Sequence, residues 1–136
     1  MKKRLLSLLC CLTLSAGLCL QPAMAANLPD GWWPVWEKYD NAVSSGDSAA
    51  ILSAGDAVVS FYADKTMNTD IAEQLYMVYY TRLENGWYEA SGDYAAAIEN
   101  TEALLSVCEY LDSIGRDFTD MEIRCRTHLE LLQPFC

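Results

Sequence analysis

Residues 87–105 read WYEASGDYAAAIENTEALL, and the Gly92-Asp93 step inside them decides the fold. On its N-terminal side the apolar residues Ile71, Leu75, Val78, Leu83 and Trp87 recur at helical spacing. On its C-terminal side Tyr94, Ala97, Thr101, Leu104, Cys108 and Leu111 do the same. Stripes spaced three and four residues apart lie on one face of a helix and must be buried against another element. Glycine takes the backbone angles in which a helix ends. The aspartate after it can accept the free N–H groups at the start of the next helix. The stretch therefore reads as the bend of a helical hairpin, with Ala97 small enough to let the two helices approach.

The same punctuation occurs earlier. Gly46-Asp47 separates the stripe Trp36, Tyr39, Val43 from the stripe Ile51, Ala54, Val58, Phe61. Gly115 closes the helix that holds Cys108, and a last stripe runs through Phe118, Met121, Cys125, Leu129 and Leu132. Pro34 suits a first helical turn, where its missing N–H is not needed. Asp70–Glu73 and Thr119–Glu122 have the spacing of capping boxes. No sustained period-two alternation occurs, so strands are not expected. The reading is all-α, with about five helices at 34–45, 47–63, 70–91, 93–114 and 118–133, joined mostly by short turns into antiparallel hairpins. The longest connection is 64–69.

Tyr88, Gly92-Asp93-Tyr94, Ala97-Ile98 and Ala103-Leu104 together resemble the middle of a tetratricopeptide repeat. Trp36, Tyr39, Gly46-Asp47 and Ala50-Ile51 form a fainter earlier copy. The two turns are 46 residues apart, longer than the standard repeat of about 34. The resemblance implies a right-handed array of hairpins, with a small bundle as the other architecture. It also implies a binding groove on the inner face of the first helices, which here would carry Trp33, Trp36 and Asp40, then Tyr79, Arg82 and Glu89. Aromatic and arginine side chains are common anchors for peptide partners. The segment GWWPVWEKY, residues 31–39, also resembles short helical modules at the front of secreted or cell-wall proteins of Gram-positive bacteria. A cell-wall component is therefore a second partner class.

The first 25 residues are a different kind of polymer. Lys2, Lys3 and Arg4 precede an uncharged, leucine-rich run of 16 residues, Leu5–Leu20, and Ala23-Met24-Ala25 supplies a small-x-small site. That order is a secretory signal peptide, with cleavage expected after Ala25. The run is shorter than the roughly 20 apolar residues that span a bilayer. Neither Cys10, Cys11 nor Cys19 has the small preceding residue that a lipoprotein needs. The expected mature chain, 26–136, is the length of one domain and is exported, with no membrane attachment after cleavage.

All 19 acidic residues lie in that mature part, against six basic ones, Lys38, Lys65, Arg82, Arg116, Arg124 and Arg126, giving 6 − 19 = −13. Such a balance repels phosphate backbones and anionic lipid surfaces, so nucleic acid is not an expected partner.

Candidates for chemistry are few. Cys108, Cys125 and Cys136 remain after the leader, and export permits disulfides. Cys108 stands seven residues before Gly115 and Cys125 seven after Phe118, so a hairpin between them sets the two at one height, as a candidate disulfide. The lone histidine, His128, could join the cysteines as a Cys3His set, but the spacing matches no zinc finger or ribbon. Carboxylate pairs such as Asp117/Asp120 and Glu99/Glu102 read as solvated surface. No phosphate loop, nucleophile elbow or calcium loop occurs. The sequence thus predicts no cofactor, no metal and no enzyme. It predicts an exported helical scaffold that binds a protein or peptide; the alternative is a purely structural small bundle with no ligand groove, either monomeric or homodimeric.

Overall fold

The structure, a computed structural model, describes residues 27–136, so the expected leader lies outside the described residues. Among those residues there are six α-helices and no strands: α1 Trp32–Ser45, α2 Ser48–Tyr62, α3 Thr69–Asn85, α4 Trp87–Ser91, α5 Tyr94–Ser113 and α6 Thr119–Leu132. A 3-10 turn, Gln133–Phe135, follows α6. The chain divides into two compact units, with the boundary in the first turn of α3, between residues 70 and 71.

In the first unit α1 and α2 pack as a hairpin around Tyr39, Val43, Ile51, Val58 and Tyr62. The turn works as its residues dictate. Gly46 is left-handed, with φ 72°, and its N–H donates to the Val43 carbonyl at 3.2 Å. Asp47 then accepts from the N–H groups of Ala49 and Ala50, at 3.0 and 3.4 Å.

The second unit repeats the device. Gly92 is left-handed, with φ 79°, and its N–H donates to the Glu89 carbonyl. Asp93 Oδ1 accepts from Ala96 N–H at 3.1 Å. The core around α5 contains Ala97, Thr101, Leu104, Cys108 and Leu111, opposite Cys125 and Leu132 of α6. Leu104 and Leu111 lose all contact with water. A fully buried leucine contributes about 1.5–3 kcal/mol from removal of its apolar surface.

The register of the second unit follows from its cross-helix pairs. Glu73 meets Arg116, Tyr76 meets Phe118, Glu84 meets Arg124 and Glu89 meets His128. The residue numbers rise together, so α6 and the turn leading into it run parallel to α3 and α4. Glu109 meets Arg126 and Asp112 meets Glu122, with numbers running in opposite senses. Helix α5 is therefore antiparallel to α6. The result is an up–down–up set in which the first and third members lie side by side.

Three expectations change. The helix read over 70–91 is broken at Gly86, which is left-handed with φ 60° and closes α3 by donating to the Arg82 carbonyl. The signal was the Asn85-Gly86 dipeptide, a strong turn former that the apolar stripe on both sides of it obscured. Neither capping box forms. Glu73 turns to Arg116, 2.6 Å away, and Glu122 turns to Asp112 and Arg126. In each case a side-chain partner, Arg116 from the turn before α6 for Glu73 and Asp112 of α5 with Arg126 of α6 itself for Glu122, outcompetes the carboxylate's own backbone.

Candidate functional site

Helix α1 opens the first unit with a dense aromatic end. Trp32 and Trp33 meet edge to face at 5.3 Å, and Trp36 contacts Tyr39 at 5.2 Å. Tyr39, Ala42 and Val43 point into the core, which leaves the other side of the helix to solvent. Trp33, Trp36 and Asp40, spaced i, i+3, i+7, share a stripe on that side and at its edge. Trp33 is 41% exposed, an unusual position for an indole, while Trp36 and Asp40 are half-buried. Proximity of indole faces and a carboxylate gives this stripe an apolar contact surface with one anionic hydrogen-bond acceptor.

The remaining three expected groove residues lie in the second unit and do not form an open face. Tyr79 and Arg82 are buried, at 9% and 6% exposure. Burial pushes the Tyr79 hydroxyl above its ordinary pKa, against the smaller opposing pull of Arg82. The Arg82 guanidinium lies 5.9 Å from the centre of the Tyr88 ring, within cation–π range. Glu89 is half-buried and engaged with His128 Nε2 at 2.7 Å. The sequence held the reason for Arg82: Ile71, Leu75, Val78 and Arg82 are spaced four, three and four, one continuous buried stripe. A charged side chain interrupts the apolar pattern, so the stripe reads from Val78 to Leu83 in the sequence although Arg82 holds the core position.

Other side chains gather along α6. Glu84 Oε1 accepts from Tyr80 Oη at 3.0 Å and from Arg124 Nη1 at 2.6 Å. The Arg124 hydrogen bond holds the Glu84 carboxyl below its usual range. Tyr76 stacks on Tyr80 at 5.5 Å and meets Phe118 edge-on at 5.0 Å. Tyr76 and Tyr80 of α3 thus pack toward the start of α6 and the residue that caps it. Asp112 accepts from Phe118 N–H at 2.6 Å and meets the Glu122 carboxyl. That contact raises Glu122 and lowers Asp112, because one proton shared between them suits both. No single-helix spacing reveals this pair, since its members belong to α5 and α6.

Cys108 and Cys125 are both fully buried and carry free thiols, while Cys136 is exposed. Burial pushes Cys108 up to about 12 and Cys125 up to about 11. A thiol held that firmly neutral is a poor nucleophile. His128 is oriented by Glu89, and among the described residues no group of three His, Cys, Asp or Glu side chains is placed to hold a metal ion. Also among the described residues, no helix is long and apolar enough to cross a membrane. No protein-family model, curated protein or solved structure matches this sequence.

Proposed function

We propose that the chain is an exported, non-enzymatic scaffold that binds a protein or peptide through the outer stripe of α1. The observation that carries this reading is the water-exposed indole of Trp33, in line with Trp36 and Asp40. Large aromatics that stay accessible next to a polar group are the usual anchors of recognition surfaces. The parallel placement of α3 and α6 around an antiparallel α5 supports the tetratricopeptide-like part of the reading. Stacked helical hairpins require such a set, in which successive first helices lie beside each other. Arg82 and Tyr79 are left out of the binding surface, because their burial serves the fold.

The reading is tested by immobilising the mature chain and exposing it to spent medium and cell-wall extract. Partners retained by the wild type and by Glu102→Gln, an exposed change on α5, should be lost with Trp33→Ala and weakened with Asp40→Asn. Equal retention by Trp33→Ala would remove α1 as the binding surface. The structural, homodimeric alternative draws on a different face: Ile123, Leu131 and Phe135 are more than half exposed along α6 and the turn after it. Size-exclusion chromatography separates the two readings, because only a dimer built on that face would be broken by Leu131→Glu.

A further inference from the structure

We propose that Cys108 and Cys125 are a sealed dithiol, convertible to a disulfide only while the α5–α6 hairpin is open, so that the closed fold preserves the state in which it formed. The proposal rests on the reading of the chain as exported, since that route supplies an oxidant. Three observations carry it. Both residues are at 0% exposure, on two helices packed against each other. Their register is fixed from outside the core: Glu109 Oε1 and Arg126 Nη2, each one residue beyond a cysteine, meet at 2.9 Å. One turn nearer the loop, Asp112 meets Glu122. Finally, Cys125 is among the groups that push the Cys108 thiol up, after burial itself, as expected of two thiols in one neighbourhood.

The oxidant is a disulfide, either of a small thiol compound or of a thiol–disulfide exchange protein. One cysteine thiolate attacks a reagent sulfur, expels a thiolate and forms a mixed disulfide. The second cysteine thiolate then attacks the protein sulfur of that bond, closes Cys108–Cys125 and expels the other reagent thiolate. Two protons leave the cysteines, and two electrons reduce the reagent disulfide to two thiols. Each attack needs a thiolate with a clear approach to a sulfur atom. In the closed hairpin neither condition is met, because both sulfurs are covered and both thiols are held neutral. In the open chain both are met. The exposed Cys136 has access in either state. Once formed, the bond would tie α5 to α6, the helix that also carries the contacts to Glu84 and Glu89.

The experiment uses the mature chain with Cys136→Ser, to prevent scrambling, and one glutathione redox buffer in two arms. In the first arm the reduced protein is refolded from urea in the buffer. In the second the buffer is added to reduced protein already folded, with the fold checked by circular dichroism. Intact mass should fall by two hydrogens in the first arm, with a 108–125 link found by proteolytic mapping. The second arm should keep both thiols, reacting about a hundredfold more slowly or less. Equal rates in the two arms would overturn the seal. Separate glutathione adducts on Cys108 and Cys125 after refolding would overturn the pairing. Both arms are run in vitro, so they stand even if the leader is found uncleaved, which would sink the export reading alone.

Discussion

Replacing Gly92 with alanine isolates the turn on which the second unit depends. Gly92 sits at φ 79°, and a Cβ added there meets nothing within 4 Å. Steric collision with the rest of the protein is therefore not part of the cost, which is confined to the backbone torsion. Holding an L-residue in the left-handed region costs about 1–2 kcal/mol. Against this, alanine stiffens the unfolded chain relative to glycine, worth about 0.4–1 kcal/mol in favour of folding. The difference is a loss of about 1 kcal/mol. In a unit of this size that corresponds to about 4–8 °C in melting temperature. Gly92→Asn should lose less, because asparagine tolerates the left-handed region better than alanine does.

The assay must see the second unit by itself. Trp32, Trp33 and Trp36 lie in the first unit and Trp87 in the second. Changing the first three to phenylalanine leaves Trp87 as a local fluorescent reporter, to be read beside far-ultraviolet circular dichroism during urea or thermal unfolding. A melting temperature for Gly92→Ala within about 1 °C of its parent would refute the torsional argument. So would an asparagine variant less stable than the alanine one.

Three further outcomes follow from the geometry. Leu104→Ala removes a side chain with no exposure and should cost about 2–5 kcal/mol, read as a lower urea midpoint; a loss under about 1 kcal/mol would mean the site collapses around the change. The Asp112–Glu122 pair should make stability depend on acidity. Glu122 holds its proton more tightly when folded, so its contribution is present below the ordinary carboxyl value of 4.5 and fades as pH rises through the raised folded value. Asp112, held low, acts in the opposite sense, present above 3.8 and lost as pH falls below it. Glu122→Gln keeps a hydrogen-bond donor without the titration, so as pH rises from 4.5 the urea midpoint of the wild type should fall relative to that of the variant, while the rising contribution of Glu84 is common to both. Finally, the secreted form should begin at Ala26, shown by its intact mass; retention of residues 1–25 would end the leader reading.

Local chemistry was legible in the sequence, and pairing across helices was not. Gly46-Asp47 and Gly92-Asp93 act through their own backbone and the next two or three residues, so their effect is written in adjacent letters. The stripes through Val43, Ile51, Leu104 and Cys125 were legible for the same reason, since burial at helical spacing needs no knowledge of the partner. The misplaced features depended on a second element. Glu73 and Glu122 look like caps until Arg116 and Asp112 are brought to them by the fold. Arg82 looks like a groove residue until its place in the stripe of Ile71, Leu75 and Val78 is counted. Of the six candidate binding residues, Trp33 is exposed, Trp36, Asp40 and Glu89 are half-buried, and Tyr79 and Arg82 are buried.

The arrangement of charge explains why α6 settles where it does. In a chain with 19 acidic residues, cations are scarce, and four of the six expected in the mature part belong to the second unit. Arg116, Arg124 and Arg126 flank or lie on α6, and each reaches a carboxylate on a different helix: Glu73 and Glu84 of α3, and Glu109 of α5. All three arginines are about half exposed, so each such pair contributes only about 0–1 kcal/mol and together they do not hold the helix down. Cys125 and Leu132 do that by burial. Burial alone, however, would accept a helix slipped by a turn, because an apolar stripe repeats. The arginines do not repeat: a one-turn slip would separate Arg124 from Glu84 and Arg126 from Glu109, leaving carboxylates of an acidic surface facing each other without a counter-charge. Packing thus supplies the adhesion of α6, and three scarce cations choose its register.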